Sequence, residues 1–434
     1  MNPGTIAIIS IVLLLFLFLL RMPVAYVMAL VGFLGFSYMV SVGGGLSLLA
    51  KDFWVMFSSN SLTVVPMFVF MGTLAFHSGM GGRLYDAAHK FFAQLRGGLA
   101  LSTVMACAGF GAMCGSTIAG AAAMGKVTLP EMRRYHYDPS LATGCVAAAG
   151  SLAILIPPST VLIIYGIMTE QSIGKLFAAG ILPGLLLTAL FGLVVFLLCR
   201  FRPALAPAGE KSSWKERIAS LSGIIEMLIL FALVMGGLFV GWFTPTEAGA
   251  AGAAGTLVLA LARRKLTWRG LLDSLSETTR ISAMVFLIIT GATLFGRFMA
   301  VTRVPFELSE WVGGLGMSPH VIMGFIIFGY LIGGCFMDSL ALITLTVPIL
   351  YPVILKLGFD PIWFGVIIVL VGEMGVITPP VGINVYVIKG VAVDVPLETI
   401  FKGIFPFLGA IIVCTILLIL FPSIALFLPG FVTK

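Results

Sequence analysis

Long apolar segments recur along the whole chain and leave few folds open to it. A membrane-spanning helix needs about 20 apolar residues, and segments of this kind lie near 5–20, 23–42, 61–78, 140–168, 176–199, 223–243, 246–262, 281–301, 361–388 and 400–425. Charged residues make up 10% of the chain and hydrophobic residues 60%, against about 25% and about 45–50% in soluble domains. The sequence therefore predicts an all-α polytopic membrane protein.

Basic residues lie between the apolar segments rather than along one face, so the net charge of +7 does not indicate a nucleic-acid partner. Lys and Arg accumulate in the cytoplasmic loops of membrane proteins. If the N-terminus lies outside, 19 of the 25 Lys and Arg residues fall on the inner side and six on the outer side. The sequence therefore predicts a chain embedded in a lipid bilayer with both termini outside.

Two of the apolar segments are interrupted at their centres by proline pairs. Residues 148–164 read AAGSLAILIPPSTVLII, and residues 370–386 read LVGEMGVITPPVGINVY. Proline inside a helix costs about 3 kcal/mol or more, and backbone groups left unsatisfied in lipid cost several kcal/mol each. The alternative is a simple kink packed against neighbouring helices. We predict two broken helices, with half-helices that end near Gly150 and Gly372 and new half-helices that begin at the prolines.

The two interrupted segments belong to an internal repeat. A shift of 222 positions places Pro23 on Pro245, Pro130 on Pro352, Asp138-Pro139 on Asp360-Pro361, Gly150 on Gly372 and Pro157-Pro158 on Pro379-Pro380. Many membrane transporters are built from two related halves of this kind. We therefore predict a first half at 1–199, a polar linker at 200–222 and a second half at 223–434.

Two further apolar regions, about 97–128 and 318–355, have glycines and small polar residues at their midpoints. These midpoints read GAMCGSTIAG (111–120) and GGCFMDSLAL (333–342). Each region is either a pair of crossings or a re-entrant helical hairpin. If both are hairpins, each half crosses the membrane five times, so the second half is inverted relative to the first. The distribution of Lys and Arg favours this interpretation.

The broken helices and hairpin midpoints predict binding sites for a cation and for a carboxylate. Helix C-terminal carbonyls attract cations and helix N-termini attract anions. An aspartate at a helix centre costs about 2.5–3.5 kcal/mol, which makes Asp338 a functional candidate. We predict one sodium site formed by Asp338, Ser339, Thr378 and carbonyls near Gly372, and a symmetry-related site formed by Ser116, Ser151 and carbonyls near Gly115 and Gly150.

The same regions predict the residues that contact a transported solute. Glu373 lies in the second broken helix, where a proton carrier, a neighbour of sodium and a structural hydrogen-bond partner are all open interpretations. Glu226 and Glu247 lie near the ends of their helices and are predicted to be capping or interfacial residues, and Arg297 to reach the outer surface. The predicted solute contacts are Thr117, Pro157, Ser159, Glu373, Pro379, Gly382 and Asn384.

Motifs of enzymes and of transition-metal sites are absent from the sequence. It contains no HExxH, no nucleophile elbow and no phosphate-binding glycine loop. The six cysteines lie in apolar surroundings without metal-ligand spacing. The sequence therefore does not indicate an enzyme or an organic cofactor.

Six motifs resemble one family of membrane proteins over almost the full length of the chain. The chain resembles the large membrane subunit (M subunit, DctM-like) of tripartite ATP-independent periplasmic (TRAP) transporters, within the wider ion-transporter superfamily. The motifs are MPVAYVMALVG, CGSTIAGAAAMG, YDPSLATGCVAAAGSLAILIPPS, TPTEAGA, MDSLALITLTVPILYPV and GEMGVITPPVGINVYV.

This resemblance implies an elevator-type secondary transporter of a bacterial inner membrane, coupled to co-transported sodium. It implies a small four-helix membrane subunit, expected here as a separate chain, and a periplasmic solute-binding protein. The implied solute is an organic acid such as a dicarboxylate, a sialic acid or a sugar acid. The sodium-site pattern carries over to Asp338 and Thr378. In the first half, Ile156 stands at the position of Thr378, so backbone oxygens are expected to contribute more there.

Two other functions remain open at this point. One is a stand-alone sodium- or proton-coupled anion carrier of the same superfamily, which a neighbouring gene for a secreted binding protein would argue against. The other is a channel, which conductance without a sodium gradient would favour.

Overall fold

The computed structural model describes residues 2–20, 22–207, 209 and 212–432, and these residues form helices joined by short loops, with no strand among them. Three basic residues used in the orientation argument, Arg21, Lys211 and Lys434, lie outside the described residues. The helices of the first half are α1 Pro3–Leu19, α2 Val24–Met39, α3 Val42–Phe57, α4 Val64–His77, α5 Met80–Phe92, α6 Gly98–Cys114, α7 Thr117–Arg134, α8 Pro139–Ala149, α9 Leu152–Leu155, α10 Thr160–Thr169 and α11 Ile173–Phe201.

The helices of the second half follow at a spacing of about 222 residues, as the repeat predicts. The helices after the first half are α12 Trp214–Leu221, α13 Ile225–Val240, α14 Pro245–Ala262, α15 Trp268–Thr302, α16 Val304–Gly314, α17 Pro319–Gly334, α18 Ser339–Lys356, α19 Pro361–Val376, α20 Ile383–Val391, α21 Leu397–Leu420 and α22 Ser423–Leu426. Thus α1 corresponds to α13, α2 to α14, α3 and α4 to α15, and α5, α6, α7 and α8 to α16, α17, α18 and α19.

The described helices include several that are long and apolar enough to cross a membrane. By length and hydropathy, five continuous stretches qualify, or up to seven if two bent helix pairs each count as one span. Shorter apolar helices such as α1 and α2 account for other predicted segments. The stretch 139–169 is the most buried of the five: 94% of its apolar 18-residue segment lies inside the protein, against 33% of the corresponding segment of α11. The first broken helix therefore lies at the centre of the fold.

The sequence does not predict α3, α5, α12 and α16 as separate elements. Charged residues interrupt their apolar runs, for example Lys51 and Asp52 in α3 and Glu307 and Glu310 in α16. None of the four qualifies as a membrane span on its own, and α3 and α12 qualify only as parts of the two bent pairs. The α3 and α4 pair is bent by 55°, whereas the matching α15 is one continuous helix of 35 residues. At the bend, the Ser58 hydroxyl donates to the Trp54 carbonyl at 2.6 Å, a bond that competes with the backbone ladder.

The ends of each hairpin region lie together. At the open end of the first hairpin, formed by α6 and α7, the Leu99 amide donates a 3.1 Å hydrogen bond to the Tyr137 hydroxyl. At the open end of the second, formed by α17 and α18, the rings of His320 and Phe359 lie 5.7 Å apart between centroids. Each region therefore returns to the side of the protein on which it starts.

The two hairpins enter from opposite sides of the protein. The start of the first broken helix lies beside the linker, because the Asp138 amide donates to the Leu205 carbonyl at 2.9 Å. The far end of the same broken helix lies beside the open end of the second hairpin, because the Tyr165 hydroxyl donates to the Pro361 carbonyl at 2.6 Å. The two halves are therefore inverted relative to each other.

The second broken helix runs in the opposite direction to the first. Just after α20, Asp394 forms a 2.8 Å ion pair with Arg133 at the open end of the first hairpin. The Asp394 backbone amide and the Arg133 guanidinium lower the pKa of Asp394. Both side chains are more than half exposed, and such surface pairs contribute little to stability. The pair therefore shows that α20 ends on the side of the protein where the first hairpin opens. It does not make the structure appreciably more stable.

A buried ion pair joins the long helix α15 to α3. Asp52 is 1% exposed, and its Oδ2 lies 2.9 Å from Arg297 Nε. Neither carboxylate oxygen makes a hydrogen bond of good geometry, so charge attraction rather than a linear bond holds the contact. The Arg297 side chain is 47% exposed. The Arg297 side chain therefore lies half-exposed at the protein surface and at the same time neutralises Asp52.

We expect the two partners of this pair to differ in their effect on stability. Arg297→Ala leaves a buried carboxylate unpaired and should cost about 3–5 kcal/mol, whereas Asp52→Asn leaves an exposed guanidinium and should cost about 1 kcal/mol or less. Thermal unfolding of the purified protein in detergent measures both, and Asp52→Asn combined with Arg297→Ala should recover most of the loss. Equal destabilisation by the two single variants would contradict this assignment.

Candidate functional site

Both hairpin tips meet at one buried carboxylate, that of Glu373 on α19. The Thr117 hydroxyl donates a 2.9 Å hydrogen bond to Glu373 Oε2, and the Ser339 hydroxyl donates a 2.8 Å hydrogen bond to Glu373 Oε1. Glu373 is 1% exposed. Because the hairpins enter from opposite sides, their tips meet at this residue inside the protein. Re-entrant hairpins remain the prediction for both regions.

The two hydroxyls occupy equivalent places in the repeat. Thr117 is the first residue of α7 and Ser339 is the first residue of α18, and the 222-residue shift places one on the other. The preceding residues cap these helices: Ser116 Oγ accepts the Ala119 amide at 3.4 Å, and Asp338 Oδ1 accepts the Ala341 amide at 3.3 Å. Glu373 thus lies between the N-termini of two helices that point at it from the two halves.

This arrangement explains how a carboxylate is held at this depth without a basic partner. Helix N-termini carry a partial positive charge, and each hydrogen bond to a charged group contributes about 1.5–3 kcal/mol. Within the described residues, neither Glu373 nor Asp338 forms an ion pair with Lys, Arg or His. Among the described residues, the hydrogen bonds to these two acidic groups come from helix N-termini and hydroxyls rather than from basic side chains.

A cavity of about 210 Å³ extends from the hairpin tips. One wall is formed by the tips and by Glu373, and the other by α4 and α15 through residues such as Thr73 and Glu277. Lys126 on α7 also lines the cavity, and its Nζ lies 6.0 Å from the centroid of the Phe76 ring. The predicted site residues that line this cavity are Ser116, Thr117, Asp338, Ser339 and Glu373.

The remaining predicted residues of the first half do not line the cavity, and several of them form hydrogen bonds within the first broken helix or to it. The Gly115 carbonyl accepts the Thr160 hydroxyl at 3.0 Å, and the Ser151 hydroxyl donates to the Ala148 carbonyl at 2.6 Å. Ser159 is buried and caps α10 through the Leu162 amide at 3.3 Å. Pro157 is buried within the break at 156–159.

The corresponding residues of the second half are arranged differently. The Thr378 hydroxyl donates to the Met374 carbonyl at 2.5 Å. Asn384 is buried and its amide donates to the Ala147 carbonyl at 3.2 Å, so it joins α20 to α8 rather than facing the cavity. Gly382, with a φ of +64°, precedes α20. Pro379 is exposed, in contrast to Pro157.

The predicted end of the first half-helix near Gly150 is confirmed, because α8 ends at Ala149 with Gly150 as its C-cap. The other predicted boundaries are wrong: α19 continues past Gly372 to Val376, and the new half-helices begin at Thr160 and Ile383, after the prolines. The residue before a proline disfavours the helical conformation, so no helix continues into either proline pair. Both glycines also allow close packing: a Cβ on Gly150 would lie 2.7 Å from Ala121 Cβ, and one on Gly372 2.9 Å from Ser339 Oγ.

Sequence reasoning missed several residues of the site. Thr160, which bonds the tip of the first hairpin, follows the proline pair and could have been suspected from its place in the PPST motif. Thr73, Lys126 and Glu277 carry no such signal, because they reach the cavity only through the packing of α4, α7 and α15.

Comparison with known proteins identifies the family. Residues 11–424 match the family described as the DctM component of the tripartite ATP-independent periplasmic transporter. The chain is 36% identical over 371 residues to the C4-dicarboxylate TRAP transporter large permease protein DctM of Pseudomonas aeruginosa, a match that covers 85% of this chain and 86% of that protein. The chain belongs to this family. The predicted resemblance to a TRAP M subunit is therefore confirmed.

Relatives of this TRAP large permease differ in the solute named for them. The sialic acid TRAP transporter large permease protein SiaM of Vibrio cholerae is 34% identical over 370 residues, covering 85% of this chain and 86% of that one. The relatives are named as permeases rather than enzymes. The YdaH transporter of Alcanivorax borkumensis shares the fold, with a TM-score of 0.59 at 13% identity, over 87% of this chain and 88% of that one. These comparisons support an all-α, multi-pass membrane protein of a tripartite transport system.

Proposed function

We propose that this TRAP large permease is the transmembrane subunit of a sodium-coupled, binding-protein-dependent importer of a small organic acid. The observation that carries the proposal is the meeting of both hairpin tips at Glu373 beside the central cavity. Re-entrant hairpins and broken helices at the interface of inverted repeats are where secondary transporters bind their solutes and ions.

Sodium coupling is supported by the unpaired acidic groups of the cavity. Asp338 and Glu373 both line it, and neither has a basic partner among the residues described. Acidic residues within a membrane are costly unless paired, and a cation that binds with the solute supplies the pairing charge. The proposed sodium ligands remain the two sets predicted from sequence, around Asp338, Ser339 and Thr378 in the second half and Ser116 and Ser151 in the first.

The size of the cavity favours a short acid. A cavity of 150 Å³ lined by apolar residues holds one benzene molecule, so a volume of about 210 Å³ has room for roughly eight non-hydrogen atoms at the same density. A four-carbon dicarboxylate has this size, and a sialic acid is considerably larger. The acid would bind at the N-termini of α7 and α18. Of the solute contacts predicted from sequence, Thr117 and Glu373 line this cavity, whereas Pro157, Ser159, Pro379, Gly382 and Asn384 do not.

An elevator motion is supported by the position of the cavity between two groups of helices. Glu373 connects both hairpins to the second broken helix, and the cavity lies between this group and parts of α4 and α15. We infer that hairpins and broken helices move together while α4 and α15 remain in place. The protein would lie in a bacterial inner membrane with both termini in the periplasm, beside a separate small four-helix subunit and a periplasmic solute-binding protein.

Sodium replacement tests the coupling directly. The permease would be reconstituted in proteoliposomes with its small subunit and loaded binding protein, and uptake of labelled four-carbon dicarboxylates measured in sodium and in potassium. Uptake should require sodium, and Asp338→Ala should flatten its dependence on sodium concentration because a charged ligand of the cation is lost.

The capping role of Asp338 requires a matched control. Asp360 caps α19 through the Ile362 and Trp363 amides at 2.8 and 3.0 Å but does not line the cavity. Loss of either cap should cost about 0.5–2 kcal/mol, so Asp360→Ala should lower stability to a similar degree and keep the sodium dependence. Uptake that proceeds equally in potassium would refute sodium coupling. Identical sodium curves for the two variants would refute the role of Asp338.

A further inference from the structure

An apolar groove of about 680 Å³ lies between α16, α17 and α18, on the outer surface of the second hairpin. Its walls are formed by aliphatic and aromatic side chains, including Trp311, Leu315, Phe325 and Leu350, and Gly329 also lines it. Trp311 is 63% exposed and Phe325 is 65% exposed. Because this hairpin is inserted in the membrane, the groove opens toward lipid rather than water.

The matching region of the first half is packed differently. There α5 packs along α6, and Tyr85 of α5 is only 3% exposed. In the second half α16 packs along α18 instead, and the groove occupies the space beside α17. The groove is therefore a feature of one half and not a consequence of the fold itself.

The groove has room for a long hydrocarbon chain. By comparison with the single benzene held in a 150 Å³ apolar cavity, 680 Å³ corresponds to roughly 27 carbon atoms at the same density. This capacity exceeds that of a short apolar metabolite and accommodates one acyl chain of a membrane lipid. An unfilled apolar space of this size would forfeit the dispersion contacts of its lining.

A basic residue lies at the end of the groove. Lys356 is in the last turn of α18, near Val353, which lines the groove, and its Nζ would lie 3.2 Å from a Cβ placed on Gly313 of α16. No ion pair to Lys356 occurs among the described residues. Its ammonium group is therefore available to a phosphate at the membrane surface, the position at which lysine side chains near helix ends emerge.

We propose that the second hairpin carries a phospholipid-binding site, with one acyl chain in the groove and the phosphate on Lys356. The assignment extends beyond solute transport and does not rest on the proposed function. It concerns a bilayer phospholipid, because the apolar groove and the cationic end match the two parts of such a molecule.

Two glycines of α17 provide a matched pair of variants. A Cβ at Gly329 or at Gly324 meets no atom within 4 Å, so both sites accept a larger side chain, but only Gly329 lines the groove. Gly329→Phe should fill the groove and abolish retention of a phospholipid through detergent purification, measured by native mass spectrometry. Gly324→Phe should retain the lipid as the unmodified protein does.

Fluorescence provides a second measurement in a bilayer. The emission of Trp311 is the difference between the emission of the unmodified protein and that of Trp311→Phe. In nanodiscs that contain phospholipids with brominated acyl chains, this emission should be strongly quenched. Gly329→Phe should reduce this quenching and Gly324→Phe should not. Equal retention of lipid and equal quenching in the two glycine variants would overturn the proposal.

Three further experiments identify the lipid and keep the test decisive if one variant fails to fold. Lys356→Gln leaves the groove intact and should weaken retention of phospholipid, so unchanged retention would overturn the headgroup assignment even if Gly329→Phe fails to fold. Displacement by a free fatty acid but not by added phospholipid would assign the groove to fatty acids instead. Loss of the lipid from the unmodified protein when the small subunit binds would assign the groove to that subunit.

Discussion

Replacing Glu373 with alanine is expected to reduce sodium-driven uptake by about 100-fold or more. The change removes the acceptor of both the Thr117 and the Ser339 hydroxyls. Each bond to a charged acceptor contributes about 1.5–3 kcal/mol, so their joint loss of at least about 3 kcal/mol corresponds to about two powers of ten in the population of joined tips. Initial uptake rates in proteoliposomes at a series of sodium concentrations measure the effect.

Variants that each remove one hydroxyl distinguish the effect of losing the hydrogen bonds between the tips and Glu373 from the effect of losing the Glu373 charge. Thr117→Val and Ser339→Ala each remove one bond and should each reduce uptake about tenfold, since one bond contributes about 1.5 kcal/mol or more. The double variant should approach Glu373→Ala, and adding Glu373→Ala to it should have little further effect. Thr128 is a suitable control, because its buried hydroxyl on α7 has no hydrogen-bond partner among the described residues. Thr128→Val should therefore leave uptake unchanged.

Two outcomes would contradict this role for Glu373. One is a Glu373→Ala protein that transports normally with an unchanged sodium dependence. The other is full additivity of the Thr117, Ser339 and Glu373 changes, because residues that act through one shared contact show interaction energies of about 0.5–3 kcal/mol.

Gly375→Ala is the second variant with a large expected effect. Gly375 of α19 packs against Gly334 at the end of α17, and a Cβ at this position would lie 2.8 Å from the Cys335 amide nitrogen. The neighbours are backbone atoms, which cannot rotate away. Inserting a methyl group into such packing costs about 1–3 kcal/mol, and the most direct relaxation moves the second hairpin away from the broken helix.

We expect the uptake rate of this variant to fall by about 10- to 100-fold. This range follows from the packing strain, because each 1.4 kcal/mol corresponds to a factor of about ten in an equilibrium constant. Gly390 of α20 provides the control, since a Cβ there meets no atom within 4 Å. Gly390→Ala should preserve uptake and raise thermal stability slightly, because alanine favours a helix over glycine by about 0.8–1 kcal/mol. Normal uptake by Gly375→Ala would show that the tip tolerates displacement.

Much of the fold was predictable because its signals are local or periodic. The proline pairs mark both breaks, glycine and small polar residues mark both tips, and the 222-residue repeat by itself relates Thr117 to Ser339. Short amphipathic helices such as α5 carry charges that hide them from a search for apolar spans. Gly150 follows the end of α8, whereas Gly372 lies inside α19, where it allows close packing against Ser339. Glycine serves both purposes, and local sequence does not distinguish them.

The chemistry of the site was only partly predictable, because its key contacts join distant parts of the chain. Asp338 and Glu373 stand out as acidic residues in apolar segments, which is a signal in the sequence itself. The bond from Thr117 to Glu373 connects residues 256 positions apart, and the positions of Glu277 and Lys126 around the cavity depend on how whole helices pack. These contacts follow from tertiary structure, which a single sequence does not specify at the level of side chains.

The two halves of the repeat differ at the position of Glu373: one half has an acid there, whereas exact symmetry would place an acid in both. Ser151 occupies the place equivalent to Glu373, and it bonds within its own helix rather than to either tip. Exact two-fold symmetry would make the states open to the two sides of the membrane equivalent. Because the acid lies in one half only, these two states are chemically distinct, and nothing requires their free energies to be equal even when no gradient is present.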